Sequence, residues 1–226
     1  MLTKLNNKVL FIDFDSTFAQ IETIDEIAKI ALDNDPNKSK KINLINEITK
    51  NAMSGKISFS KALYDRLNIL TIKSHHIKLA IEMITKRISN SIKRNKDFIK
   101  LNANNIWIIS GGFTQIICPC VIDYGIKPEN VIANTLIINS GIVKGIDTKN
   151  PMSMDRGKIK AIKSLQINLE SIMIGDGYTD YEVYQEEASD HFIYFSENIL
   201  RPEVSNKSKL IANSFEDVID IIAKIK

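Results

Sequence analysis

Two carboxylates, Asp13 and Asp15, stand two residues apart in Asp13-Phe14-Asp15-Ser16-Thr17, directly after the apolar run Val9-Leu10-Phe11-Ile12. Side chains of an extended chain alternate faces, so the two acids lean toward one side and can share one task. A carboxylate pair at the mouth of a buried strand repels itself and loses hydration, so it demands a cation, a proton or a chemical role. A second acidic pair, Asp176 and Asp180, lies in Gly175-Asp176-Gly177-Tyr178-Thr179-Asp180, and Ser110-Gly111-Gly112-Phe113 stands between the two in sequence. Acids in this pattern could share a hard cation and move protons.

Each of these motifs closes a short apolar run. Residues 9–12, 106–109 and 172–174 are rich in Ile or Val and end at Asp13, at Ser110-Gly111-Gly112 and at Gly175-Asp176-Gly177. They read as buried parallel strands followed by turns. Helical patterns over residues 158–165 and 215–225 point to an α/β class with a doubly wound, Rossmann-like sheet. Ligands of such sheets bind beyond the carboxyl ends of the strands, where all three polar turns fall. Residues 136–144 read as a hairpin turning at Ser140-Gly141, and residues 193–195 and 210–212 as further short strands.

Between the first two strands the character changes. Residues 20–96 hold one Gly and one Pro and keep helical spacing, with Phe59, Leu63, Leu67 and Leu70 on one face and Ser58 placed to cap it. The expected division is a catalytic core of residues 1–19 and 97–226 with a helical cap of residues 20–96 above the site.

Composition narrows the function classes. The chain has 226 residues, 44% hydrophobic and 25% charged, with 30 Lys and Arg against 27 Asp and Glu. That balance supports neither nucleic-acid nor membrane binding. The N-terminal apolar run is too short for a signal-peptide core and no stretch approaches a membrane span, so a cytoplasmic setting is expected. Cys118 and Cys120, separated by Pro119, read as reduced residues without metal-site spacing. His75, His76 and His191 carry no catalytic pattern, and Trp107 and Tyr194 read as core.

In order and spacing, Asp13-Phe14-Asp15-Ser16-Thr17, Ser110-Gly111-Gly112-Phe113 and Gly175-Asp176-Gly177-Tyr178-Thr179-Asp180 resemble the signature motifs of the haloacid dehalogenase superfamily. More narrowly, the chain resembles the phosphoserine phosphatases over nearly its whole length. The resemblance implies a Mg²⁺-dependent phosphomonoester hydrolase working through an aspartyl-phosphate, with L-phosphoserine as substrate and serine biosynthesis as setting. Asp13 would be the nucleophile and Asp15 the general acid and base. Asp13, the main-chain carbonyl of Asp15 and Asp176 would hold Mg²⁺, with Asp180 near the ion or its waters. Ser110, Gly111 and Thr179 would bind phosphate.

The resemblance also implies a basic residue beside the nucleophile. In Asp155-Arg156-Gly157-Lys158-Ile159 the glycine register favours Arg156 over Lys158 for that role. In the cap, Glu22 would take the substrate ammonium and Arg66 its carboxylate, with Met53 and Phe59 shutting out water. Phe59 and Arg66 lie seven residues apart and so share a helical face. The expected partner is a small-molecule phosphomonoester, the chain acting as a monomer or homodimer. The competing readings are a phosphatase or phosphotransferase for another small phosphomonoester, and a catalytically inactive binding module on the same fold.

Overall fold

The computed structural model describes residues 4–53 and 56–225; the side chain of Met53 lies outside the described residues. In chain order the elements are β1 (Lys8–Ile12), α1 (Thr23–Ala31), α2 (Lys38–Met53), α3 (Phe59–Asn68), α4 (Ser74–Lys86), α5 (Asn90–Arg94), α6 (Lys96–Leu101), β2 (Ile106–Phe113), α7 (Thr114–Val121), β3 (Val131–Asn134), β4 (Leu136–Asn139), β5 (Ile142–Ile146), α8 (Gly157–Ser164), β6 (Glu170–Gly175), α9 (Tyr178–Gln185), β7 (His191–Phe195), α10 (Pro202–Ser205), β8 (Leu210–Ala212) and α11 (Phe215–Lys224). Six strands form one parallel sheet in the order β3-β2-β1-β6-β7-β8, and β4 and β5 form a separate antiparallel pair.

Strand β1 is central, with Ile12 opposite Ile108 on one side and Ile174 on the other. Its apolar run is continuous because both faces are covered. Leu10 and Ile12 pack into the core shared with α4, α7 and α11, whereas Val9 and Phe11 point to the opposite layer with Ile159, Ile162 and Val183 of α8 and α9. Burying each of these side chains contributes about 1.5–3 kcal/mol, and together they fix the register that brings the ends of β1 and β6 side by side.

Two local features depart from the sequence reading. Ser110-Gly111-Gly112 is not a turn: β2 runs on to Phe113, with a register irregularity against β3 between Ile109 and Phe113. Strand β3 was not expected at all. The helices of residues 20–96 do intervene between β1 and β2, and Ser58 caps α3 by accepting from the Lys61 amide. Where the chain enters and leaves this helical stretch, Ala19 and Ile88 form an antiparallel bridge and Gln20 N donates to Arg87 O at 2.8 Å. Helix α5 is tied to the sheet layer through Arg94 and Glu216 of α11.

Cys118 and Cys120 are free thiols. No described helix is long and apolar enough to cross a membrane.

Candidate active site

The ends of β1 and β6 meet through Asp13 N, which donates to Ile174 O at 2.9 Å. Beyond that point the chain makes one wide turn, closed by Phe18 N on Asp13 O and Ala19 N on Phe14 O. Ser16 takes a left-handed conformation there, with φ of 55°. The turn is strapped from β7's far end by Asn198, whose amide donates to Ser16 O at 3.0 Å and to Ser89 Oγ at 2.7 Å. Asp13 is thus fixed at the strand tip, and Asp15 is turned toward α1, where the Thr23 amide donates to its Oδ1 at 3.0 Å and the Thr23 hydroxyl bonds the same oxygen.

Asp176 and Asp180 come from the β6–α9 junction. Asp180 Oδ2 accepts from Gly177 N at 3.0 Å and caps the start of α9. Gly175 makes room for this carboxylate, since a Cβ there would stand 2.3 Å from Asp180 Cγ. Asp13, Asp176 and Asp180 are all buried, and each offers a carboxylate oxygen within 4.8 Å of the others.

The basic residue beside Asp13 is Lys158, whereas the sequence register favours Arg156; both line the pocket. Lys158 Nζ lies 2.8 Å from Asp13 Oδ1 and 2.6 Å from Asp180 Oδ1, with a side chain 9% exposed. Arg156 instead pairs with Glu186 and is 49% exposed. Gly157 between them serves packing: a Cβ at this position would come 2.5 Å from Pro151 O. Arg156 precedes α8 in a left-handed conformation, whereas Lys158 sits in the first turn of α8 on the side of Ile159 and Ile162.

Burial and then neighbouring charges raise Asp13, Asp15 and Asp176. Asp13 is raised well above the ordinary carboxylate range by burial and then by Asp180, against the pull of Lys158. Burial, then the Glu22 charge, pushes Asp15 up to about 7 despite its bonds from Thr23. Asp176 also reaches about 7, through burial and the Asp180 and Glu22 charges. Burial works to lower Lys158, but the Asp13 and Asp180 carboxylates outweigh it and raise its pKa. So many buried acids around one lysine make a fitting seat for a hard cation with oxygen ligands, as Mg²⁺ is.

A pocket of about 400 Å³ opens over these groups. Glu22, Phe59, Arg66, Gly111 and Thr179 line it together with Asp13, Asp15, Lys158 and Asp176. Phe59 lies against Gly111 so closely that a Cβ on the glycine would stand 2.8 Å from the ring. Ser110 is buried beneath, its oxygen accepting from Gly112 N at 3.0 Å. Arg66 is held by Ala62 O at 3.1 Å and Thr49 Oγ1 at 3.1 Å. Glu22 accepts from Ser16 Oγ at 2.8 Å, and burial raises its pKa. Among the described residues, every expected site residue except Ser110 therefore lines one cavity, and the Met53 side chain lies outside the described residues.

The sequence reading missed Arg201. Its Nε donates to Asp176 Oδ2 at 2.9 Å, and its Nη2 lies 3.5 Å from Glu22 Oε1, so one guanidinium spans an acid of the core and an acid of α1's entry. Thr17, whose hydroxyl donates to Asp176 Oδ1 at 3.0 Å, and Asn134, which donates to Gly111 O at 2.9 Å, were missed as well. Arg201 follows β7 at the carboxyl edge of the sheet, and that position is the only signal that could have flagged it.

The sequence model of the haloacid dehalogenase-like hydrolases matches residues 10–185, from the strand before Asp13 to the end of the helix carrying Asp180. The chain belongs to this family. Within it, the relatives are phosphatases and the chain is a phosphatase. Phosphoserine phosphatase of Drosophila melanogaster is 30% identical over 218 residues, covering 94% of this chain and 77% of its own length. The chloroplastic phosphoserine phosphatase of Arabidopsis thaliana is 32% identical over 212 residues, covering 92% and 69%. Among solved structures, a phosphoserine phosphohydrolase-like protein from Francisella tularensis superposes with a TM-score of 0.84 at 33% identity, covering 95% of this chain and 99% of its own. A substrate-bound phosphoserine phosphatase complex gives 0.74 at 25% identity, covering 98% and 99%. The haloacid dehalogenase fold accounts for the six-stranded parallel sheet and its order.

Proposed function

We propose that the protein hydrolyses L-phosphoserine to L-serine and inorganic phosphate, with Mg²⁺, through an aspartyl-phosphate on Asp13. The observation that supports this reading is one pocket lined by two chemically different sets of groups: Asp13, Lys158 and Asp176, and Glu22 with Arg66. A phosphomonoester of an amino acid needs both sets, since it brings a phosphate, an ammonium and a carboxylate. The names of the relatives support the same substrate.

Asp13, Asp176 and the main-chain carbonyl of Asp15 would hold Mg²⁺, with Asp180 against the ion or its waters. When bound, the ion offsets the repulsion between an anionic nucleophile and an anionic phosphate. Asp13 attacks phosphorus as the bond to the serine oxygen breaks, and Asp15, its carboxyl pushed up to about 7 so that a proton is available, gives that proton to the departing oxygen. Asp15 then takes a proton from water, which attacks phosphorus and breaks the bond to Asp13. Ser110, whose oxygen already accepts from Gly112, has its own hydrogen to give a phosphate oxygen. Lys158, the Gly111 amide and Thr179 would bind the remaining charge, a fixed set of donors aimed at the phosphoryl group.

Glu22 would take the ammonium and Arg66 the carboxylate, with Phe59 as an apolar wall and Met53 expected beside it. In this reading residues 20–96 are a cap over a core of residues 1–19 and 97–226, and α5 stands at their boundary. A cytoplasmic setting belongs to the same proposal and is supported by the two free thiols; a monomer or homodimer would suffice, since all site residues come from one chain. Turnover of a panel of small phosphomonoesters with Mg²⁺ tests the assignment. Phosphoserine is expected to lead; an equal or better rate on phosphoethanolamine, which lacks the carboxylate, would overturn it, and no turnover of any ester would favour an inactive binding module.

A further inference from the structure

Asp155 lines the same pocket and makes a bond across it. Its Oδ1 accepts from Ser60 N of α3 at 2.9 Å, 95 residues away in sequence. Helix α3 begins with amides that have no partner inside the helix. Ser58 Oγ satisfies one of them, Lys61 N, from within the same segment, and Asp155 satisfies another from the opposite wall. The hydroxyls of Ser58 and Ser60 lie 3.2 Å apart beside it. Burial nudges the Asp155 carboxyl upward, but the Ser60 amide and the two serine hydroxyls outweigh that and hold it below its ordinary value. An anion at a helix start also meets the positive end of the helix dipole.

What this bond fixes is set by its neighbours. Phe59, next to Ser60, is the ring packed on Gly111, and Arg66 projects from the same helix two turns on. On the other side, Asp155 is three residues before Lys158, separated from it by the left-handed Arg156 and by Gly157, wedged against Pro151. One hydrogen bond therefore joins the helix that carries Phe59 and Arg66 to the loop that delivers Lys158.

We propose that Asp155 is a positioning residue: it latches the start of α3 to the α8 loop, and so holds Phe59 and Arg66 in register with the phosphate end of the pocket. The consequence for catalysis rests on the phosphoserine reading, while the latch itself does not. Asp155 sets the affinity for the amino-acid end of the substrate and leaves phosphoryl transfer untouched.

The test compares wild type with Asp155→Ala and Asp155→Asn. Hydrogen exchange of the metal-free protein reads the latch alone: amides at the start of α3 are expected to exchange roughly three- to tenfold faster in Asp155→Ala, the range expected for one charged group at a helix start, and to recover in part in Asp155→Asn, which keeps an oxygen acceptor. Kinetics with Mg²⁺ reads the consequence: KM for phosphoserine is expected to rise by a similar factor with kcat held, while kcat/KM for p-nitrophenyl phosphate stays at the wild-type value. Unchanged exchange at α3 would overturn the latch whatever the substrate. Faster exchange with equal losses on both esters would overturn the role in register. If wild type turns over p-nitrophenyl phosphate but not phosphoserine, the substrate reading fails, and the exchange result still decides the latch.

Discussion

Lys158 Nζ stands 2.8 Å from Asp13 Oδ1, at the first turn of a helix whose dipole disfavours a cation there. The cost is offset by Asp13 and Asp180, which leaves Lys158 committed to the acids beneath the pocket. Removing it leaves those two carboxylates buried without the cation that pairs them, while Arg201 pairs with Asp176 and Glu22 instead. Lys158→Ala is expected to lower kcat by about 10²–10³-fold, the scale of losing one group that meets transition-state charge. Arg156→Ala, which breaks a half-exposed pair with Glu186, should stay within about threefold of wild type. Steady-state kinetics on the two variants separates the residues; the reverse ranking would return the phosphate contact to Arg156.

The acid cluster predicts how stability depends on pH in chelated protein. Asp15 and Asp176 titrate near 7 when folded, against an ordinary 3.8, and Asp13 is raised as well. From about pH 4 to 7 the folded chain therefore keeps protons that the unfolded chain releases, so stability falls as pH rises through that window. Glu216, held down to about 2 by its bond from Arg94, acts oppositely, but only between about 2 and 4.5. Tm in EDTA should be lower at pH 7.5 than at pH 5, and Mg²⁺ should restore it at pH 7.5. A Tm that climbs steadily from pH 5 to 7.5 without metal would contradict the reading.

Arg66 is buried against Ala62 O and Thr49 and faces the Glu22 and Asp25 charges. Arg66→Ala should lower kcat/KM for phosphoserine by about 10²-fold or more, the loss of a charge-assisted pair, while an aryl phosphate without a carboxylate loses much less. Equal losses on both substrates would place Arg66 outside the recognition of the amino acid.

At Gly175 the constraint is steric. A methyl group there would overlap the Asp180 carboxylate, which also caps α9 and pairs with Lys158. Gly175→Ala is expected to cost about 1–3 kcal/mol of stability by overpacking and to weaken Mg²⁺ binding measured by calorimetry. A variant with wild-type Tm and metal affinity would mean that Asp180 can move aside freely.

The parts of the fold legible in sequence were those with a local signature. Residues 9–12 and 172–174 announce themselves as apolar runs bounded by acids or glycine, and Phe59 to Leu70 announces a helix by its period. Val131–Asn134 escaped because four residues inside a polar stretch carry no period to read. Ser110-Gly111-Gly112 looked like a turn because glycine usually marks one, whereas here the glycines serve close approach: Phe59 lies on one of them. Arg201 and Asn198 were invisible for a different reason. Their partners lie 25 and about 180 residues away, brought near only once β7 pairs with β6. Lys158 shows the remaining limit: spacing narrowed the choice to two residues, and only the packing of Gly157 chose between them.

The bridge between Ala19 and Ile88 has an implication for how this chain could be altered. The chain between those residues leaves and re-enters the core side by side at that bridge, and meets the core again at β5, where Lys73 pairs with Ile142. Asp13, Asp15, Lys158, Asp176 and Asp180 all lie outside that stretch, while Glu22, Phe59 and Arg66 lie inside it. In the proposed division the groups for reaction and for selectivity fall on different lengths of polypeptide, yet Thr23 and Glu22 of the helical length hold and tune Asp15, so a replacement for that length would have to carry those two side chains with it.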